Sequence, residues 1–94
     1  MGEAFYTDHL LFRMGLRDIP EEFPREIYQH ADERYRDMRT GRKIAVKRVE
    51  FQGRVREMAV VYEEEANDVR LVTIHPLKQG QKDQRIINGR WQLL

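Results

Sequence analysis

The sequence predicts one α+β domain, residues 1–94, in which two N-terminal helices pack on an antiparallel sheet of three to four strands. Ninety-four residues with 40% hydrophobic content suffice for one small domain with a modest core and leave no room for a second domain. Apolar residues recur every three to four positions early in the chain and at every second position later, which are the periods of a helix and a strand. We therefore expect a helical part at 7–41, an antiparallel meander at 43–76 and a C-terminal cover segment at 77–94.

The first helix is predicted from about Asp8 to Arg17, with Thr7 as its N-cap. The second begins between Pro20 and Pro24, because proline is tolerated in a first helical turn and disfavours helix in the residue before it.

The apolar residues of the second helix follow at steps of four, four, four and three, which form one stripe: Phe23, Ile27, Ala31, Tyr35 and Met38. Thr40 and Gly41 end this helix after roughly five turns, because glycine takes the left-handed cap conformation readily.

The meander begins with "KIAVKRVEF", whose alternation contains an odd step that predicts a bulge near Lys47 and Arg48. Gly53 marks a hairpin turn, and strands at 55–64 and 69–76 follow. The tail carries Ile86, Ile87 and Trp91, which form a short helix or a strand that covers the sheet. We expect Trp91 to be partly buried.

Composition excludes several kinds of site. The chain has no cysteine, so disulfides, thiolate metal sites and a cysteine nucleophile are excluded. His9, His30 and His75 share no metal-ligand spacing, and no metal or other cofactor is expected. No apolar run approaches the length of a membrane span, and no signal segment of the usual design leads the chain. We expect a soluble, cytoplasmic protein without a membrane partner.

Charge is distributed in stripes along the chain. The net charge is −5 over 1–33, +7 over 34–56, −5 over 57–68 and +4 over 69–94. Thirteen of the seventeen basic residues are arginine, which favours bidentate recognition of phosphate or carboxylate. The alternative is the arginine-rich usage of a high-GC genome.

A basic patch surrounds the first predicted hairpin, and we call it the hairpin patch. Such a patch fits the phosphate backbone of a nucleic acid. Alternatively, the acidic segment 57–68 pairs with it inside the fold. The hairpin patch consists of Lys43, Lys47, Arg48, Arg54 and Arg56.

Two further arrangements suggest chemistry. His9, Arg13 and Arg17 advance by 40° per step around the first helix and form one stripe, which either binds an anion or only packs its stems around the core. His75 ends the last strand, with Lys78 three residues beyond it. It is a candidate general acid or base, or else an ordinary polar strand end.

The stretches "DHLLFRMGLRDIP" and "VRLVTIHP" resemble a group of small uncharacterised bacterial domains that are similar to the RelE and ParE superfamily of toxins. The resemblance covers about residues 7–76. It implies a RelE-like fold in which two helices lead into an antiparallel sheet. It also implies a toxin ribonuclease of a toxin–antitoxin pair that acts on messenger RNA, with the ribosome and a small antitoxin protein as partners.

The resemblance implies cleavage by attack of the 2′-hydroxyl, without a metal. Such a reaction needs a base, positive charge on the phosphorane and an acid for the leaving oxygen. We expect His9 or His75 to transfer protons. Arg13, Arg70 and Lys78 would supply positive charge, and Arg17 with the hairpin patch would bind RNA. The alternatives are a non-catalytic RNA- or peptide-binding module and an oligomer whose charge stripes pair between chains.

Overall fold

The computed structural model, which describes residues 3–94, contains a six-stranded mixed sheet and three helices. The strands are β1 (Ala4–Tyr6), β2 (Glu33–Asp37), β3 (Lys43–Phe51), β4 (Arg54–Glu65), β5 (Asp68–Pro76) and β6 (Trp91–Leu93). The helices are α1 (Asp8–Arg17), α2 (Phe23–Gln29) and α3 (Gln81–Ile87). The order across the sheet is β1-β5-β4-β3-β2-β6, and only the β1–β5 pair is parallel.

The predicted fold class, two N-terminal helices on an antiparallel sheet of three to four strands, is wrong. The chain is α+β, but β1, β2 and β6 extend the meander to six strands, and the parallel β1 makes the sheet mixed. The C-terminal segment adds the third helix. Strands of three residues, such as β1 and β6, are too short to show an alternating pattern, so no pattern predicted them.

The long second helix is also wrong, because α2 ends at Gln29 and the chain then forms β2. A spacing of four residues equals two strand repeats, so Ala31 and Tyr35 satisfy the strand period as well as the helical one. In β2, Tyr35 is buried and pairs with Ile44 on one side and Leu93 on the other. The burial of Tyr35 and its pairing with two strands stabilise the strand conformation of this segment over the helical one.

Several local predictions are confirmed. The first helix has the predicted bounds, and the Thr7 hydroxyl accepts a hydrogen bond from the backbone N–H of Leu10 at 3.1 Å. α2 begins at Phe23, between the two prolines. The first hairpin turns at Gln52 and Gly53, which have φ values of 53° and 79°, and glycine is the residue that adopts this region most readily.

The bulge near Lys47 and Arg48 is not present, since β3 pairs with β4 without interruption. Both faces of the sheet are covered, so Ile44 and Val46 are buried on one face and Phe51 on the other. This change of face produces the odd step in the pattern. The irregularity lies instead on β5, opposite Val61 and Tyr62.

Each face of the sheet has its own core. Leu10 and Met14 of α1 pack with Ile27 of α2 on one face. On the other face Trp91 packs with Tyr35, their ring centroids 5.6 Å apart. Trp91 is only 2% exposed, more buried than expected. Among residues 3–94, no helix has the length and apolar character needed to cross a membrane.

Candidate anion-binding site

The edge of β5 is only partly covered by its neighbour. β1 pairs with Val69, Arg70 and Leu71 of β5. The chain then leaves the sheet at Thr7, whose hydroxyl donates a hydrogen bond to the carbonyl oxygen of Val72 at 3.0 Å. Among the described residues, β1 therefore leaves the last part of β5, residues 73–76, without a strand on this side.

His75 lies at this open end of β5. It pairs with Ala59 of β4, and Thr73 projects from the same face two residues earlier. Both side chains are partly buried. The Thr73 hydroxyl is buried and has no hydrogen-bond partner within the protein.

The charges of three arginines, two on α1 and one on α3, act on His75. Burial lowers the pKa of His75 most strongly, and the positive charges of Arg17, Arg85 and Arg13 lower it further, to about 4. At neutral pH the imidazole is therefore uncharged. We call Arg13, Arg17, His75 and Arg85 the His75 cluster.

The position of α1 brings Arg13 and Arg17 to the cluster. The helix packs on β5 through buried Leu10 and Met14, which leaves the two arginines at the border of the packed face, one turn apart. The Arg17 carbonyl oxygen accepts a hydrogen bond from the Gln52 side chain at 3.3 Å, so the end of α1 lies beside the first hairpin.

Arg85 comes from the opposite face of the sheet. Its guanidinium carbon lies 5.4 Å from the centre of the Trp91 ring, a distance typical of a cation–π contact. Sequence reasoning missed Arg85, because it predicted a short helix or a strand that covers the sheet from Ile86, Ile87 and Trp91 without deciding between them, and so did not place this side chain.

The arginines of the His75 cluster have no counter-ions. Within residues 3–94, none of the three forms an ion pair, and the Nε of Arg13 is buried without a hydrogen-bond partner. Buried donors in native proteins are almost always paired. Three guanidinium groups whose charges act on a neutral histidine therefore suit an anion, and bidentate contacts favour phosphate or carboxylate.

The remaining predicted catalytic residues are spread more widely. His9 is exposed on the first turn of α1, about 12 Å along the helix axis from Arg17. Arg70 forms an ion pair with Glu65 at 3.3 Å, and it lies on β5 about 16 Å from His75. Lys78 is exposed in the segment after β5, at the same end of the sheet as His75.

The hairpin patch is divided by the acidic segment. Lys43 forms an ion pair with Glu64, so the predicted alternative of internal pairing holds for this residue. Lys47 lies 3.9 Å from Asp32, which also accepts a hydrogen bond from the backbone N–H of Arg48.

Two members of the hairpin patch remain near the site. Arg54 is exposed at the turn, and Arg56 has a buried Nε without a partner. Arg56 lies two residues before Met58, which pairs with Pro76. Arg56 is therefore at the same end of the sheet as the His75 cluster.

A cavity of about 900 Å³ lies at the other end of β5. Its lining includes Arg25 and Arg34, each of which already donates a hydrogen bond within the protein. Arg25 donates to the Ala4 carbonyl at 3.2 Å, and Arg34 donates to the Tyr62 hydroxyl at 3.1 Å. We place the functional site at the His75 cluster, because the Nε of Arg13 and the hydroxyl of Thr73 are buried there without a partner within the protein.

No group of three or more potential metal ligands occurs among residues 3–94. Comparison of the chain with protein-family models, curated proteins and solved structures gave no match.

Proposed function

We propose that this protein is a metal-independent endoribonuclease that binds a phosphate of single-stranded RNA at the His75 cluster. The observation that carries the proposal is the set of three arginines without counter-ions beside an uncharged histidine. A phosphodiester supplies the negative charge that these guanidinium groups lack, and its neighbouring 2′-hydroxyl supplies a proton for the imidazole to accept.

The reaction is an attack of the 2′-oxygen on the adjacent phosphorus. His75 accepts the proton of the 2′-hydroxyl while the bond from the 2′-oxygen to phosphorus forms and the bond to the 5′-oxygen breaks. Arg13, Arg17 and Arg85 stabilise the charge of the phosphorane. Lys78, at the same end of the sheet, adds positive charge. The leaving 5′-oxygen takes up a proton from solvent, and the products carry a 2′,3′-cyclic phosphate and a 5′-hydroxyl.

The low pKa of His75 suits a base that must be free before the substrate arrives. An uncharged imidazole is ready to accept a proton at neutral pH. The bound phosphate then offsets the positive charge of the arginines, which raises the pKa of His75 and favours proton transfer to it. The arginines thus lower the pKa of His75 most strongly before the phosphate binds.

Our proposal includes a biological role as the toxin of a toxin–antitoxin pair that cleaves messenger RNA, with a small antitoxin as its partner. The resemblance of residues 7–20 and 69–76 to toxin-like domains supports this role. Induction of the wild type in a bacterial host, beside His75→Ala and beside His9→Ala with Arg13→Ala, tests it. Growth arrest that a variant relieves at equal soluble expression supports the role, and unimpaired growth with all three contradicts it.

The biochemical test uses end-labelled single-stranded RNA and the same sequence with 2′-O-methyl groups. We expect the wild type to cleave only the unmodified RNA, and His75→Gln to bind both without cleavage. Arg13→Gln with Arg17→Gln should weaken binding. Arg39→Gln is the matched control, because Arg39 is exposed in the turn between β2 and β3, where the chain is far from His75. Equal cleavage by His75→Gln and wild type refutes the assignment.

The second candidate is a non-catalytic RNA-binding module. It is favoured by the weak basicity of His75, because a histidine with a pKa of about 4 accepts a proton poorly until an anion binds. Such a module binds RNA with an affinity that falls as salt rises, and releases no cyclic phosphate under any condition. Binding without cleavage by the wild type would select this candidate.

A further inference from the structure

α3 is held in place by very few contacts. It has seven residues, and none of them is buried. A helix this short is not stable in water by its own propensity. Its position against the sheet therefore depends on the side chains that it extends to neighbouring elements, chiefly Lys82 and Arg85.

Lys82 connects α3 to two strands. Its ammonium nitrogen lies 2.9 Å from a carboxylate oxygen of Glu33 on β2 and 2.7 Å from one of Glu57 on β4. The Lys82 side chain is 18% exposed, and the Tyr35 hydroxyl donates a further hydrogen bond to Glu33 at 2.7 Å. Burial lowers the pKa of Lys82, but the hydrogen bonds to Glu57 and Glu33 outweigh it and raise that pKa above its ordinary value. Lys82 is therefore charged at any physiological pH.

Glu57 lies close to the anion-binding site. It is two residues from Ala59, the partner of His75, so it is a diagonal neighbour of His75 on the same face of the sheet. A free carboxylate at this position would repel a bound phosphate and attract Arg85. The Lys82 ammonium, in contact with Glu57, offsets this charge.

We propose that Lys82 is a positioning residue of the His75 cluster, which holds α3 so that Arg85 faces His75 and neutralises Glu57 beside the anion-binding site. The inference rests on the proposed function only for its effect on RNA; its effect on His75 is a property of the free protein. Arg13 and Arg17 of α1 and Arg85 of α3 act on His75. Glu57 of β4 is a charged group beside it on the same face of the sheet, paired with Lys82.

Loss of Lys82 should alter the site in two ways. α3 loses its ion pairs, so Arg85 is no longer held against Trp91 and His75. Glu57 becomes an uncompensated carboxylate beside the histidine. Both changes remove positive potential from His75 and raise its pKa toward the ordinary value.

The test is an NMR titration of the His75 imidazole in the full chain, without RNA. We expect Lys82→Gln and Arg85→Gln each to raise the pKa of His75 by about one unit, because each removes positive potential from it. Lys82→Arg keeps the charge and should retain the wild-type value. Arg39→Gln removes one positive charge elsewhere and is the matched control. A folded Lys82→Gln protein with the wild-type titration overturns the inference.

A second measurement separates this inference from the proposed function. Short single-stranded RNA should bind Lys82→Gln about tenfold more weakly than wild type at equal salt, a loss of about 1.4 kcal/mol, while Lys82→Arg recovers most of the affinity. If the His75 titration shifts but the wild type does not bind RNA, the positioning role stands and the proposed function fails. If Lys82→Gln does not fold, the double variant Lys82→Gln with Glu57→Gln replaces it. Unchanged titration and affinity in that protein refute the role.

Discussion

Replacement of His75 by glutamine should remove much of the acid sensitivity of this fold. The folded-state pKa of His75, about 4, lies below the ordinary value of 6.5 for a histidine. Above pH 6.5 both the folded and the unfolded chain carry a neutral His75, so this group contributes no pH dependence. Between pH 6.5 and pH 4 the unfolded chain takes up a proton that the folded chain does not, so stability falls as the pH falls.

The magnitude follows from these two pKa values. Between pH 7 and pH 5, His75 alone should lower the free energy of unfolding by about 2 kcal/mol, and by about 3 kcal/mol once the pH is below 4. Loss of two kilocalories is a large fraction of the stability of a small domain. His75→Gln removes this contribution and should therefore be relatively more stable at pH 5.

Urea unfolding at pH 7 and at pH 5, followed by Trp91 fluorescence and by circular dichroism, measures the effect. Carboxylates titrate in the same way in both proteins, so the difference between wild type and His75→Gln isolates the histidine. His30→Gln, which changes an exposed histidine at the end of α2, is the matched control and should keep the wild-type dependence. An equal loss of stability in wild type and His75→Gln would refute the buried, neutral state of His75.

Three further results are expected. Arg17→Gln should reduce the slope of log affinity for single-stranded RNA against log salt by about 0.7, measured by fluorescence anisotropy, because one phosphate contact is lost; an unchanged slope contradicts a contact with Arg17. Trp91→Ala should cost about 3 to 5 kcal/mol in urea unfolding, since it empties the core beneath α3, and a cost below 1 kcal/mol would show that this core is not cooperative with the rest. Asp37→Ala should cost about 3 kcal/mol, because it leaves Arg90 unpaired; the same thermal or urea midpoint as wild type would contradict the ion pair.

Local signals in the sequence predicted local structure well. The cap at Thr7, the proline-bounded start of α2 and the turn at Gly53 each follow from the backbone preferences of one or two residues. These preferences act over a few positions, and tertiary contacts reinforce them in this fold.

Long-range pairing escaped prediction. The strand β2 was mistaken for helix because Tyr35 fits both periods, and only its contacts with β3 and β6 decide between them. The parallel partner of β5 is β1, which lies far from it in the sequence, and no property of Ala4–Tyr6 predicts this pairing. Edge strands of this kind are specified by what they pair with rather than by their own pattern.

The candidate site was only partly predictable for the same reason. Arg13, Arg17 and His75 were identified from spacing and from the position of the histidine at a strand end, and the charges of both arginines act on His75. Arg70 and His9 are of the same residue types as members of the His75 cluster but lie outside it. Arg70 is at the other end of β5, and His9 is about two turns of α1 away from Arg17. Arg85 required knowledge of how α3 folds back over the sheet.

The pairing of β1 with β5 also bears on the order of events during synthesis. Thr7 and Val72 are joined by a hydrogen bond across 65 residues of chain, so β1 can pair with β5 only after β5 has been synthesised. Contacts so distant in sequence form late, since a long loop must close first. α1 follows β1 directly, and Arg13 and Arg17 reach His75 only after this closure. In a nascent chain the stripe of His9, Arg13 and Arg17 is therefore exposed before the anion-binding site has formed. The site can form only after β5 has left the ribosome.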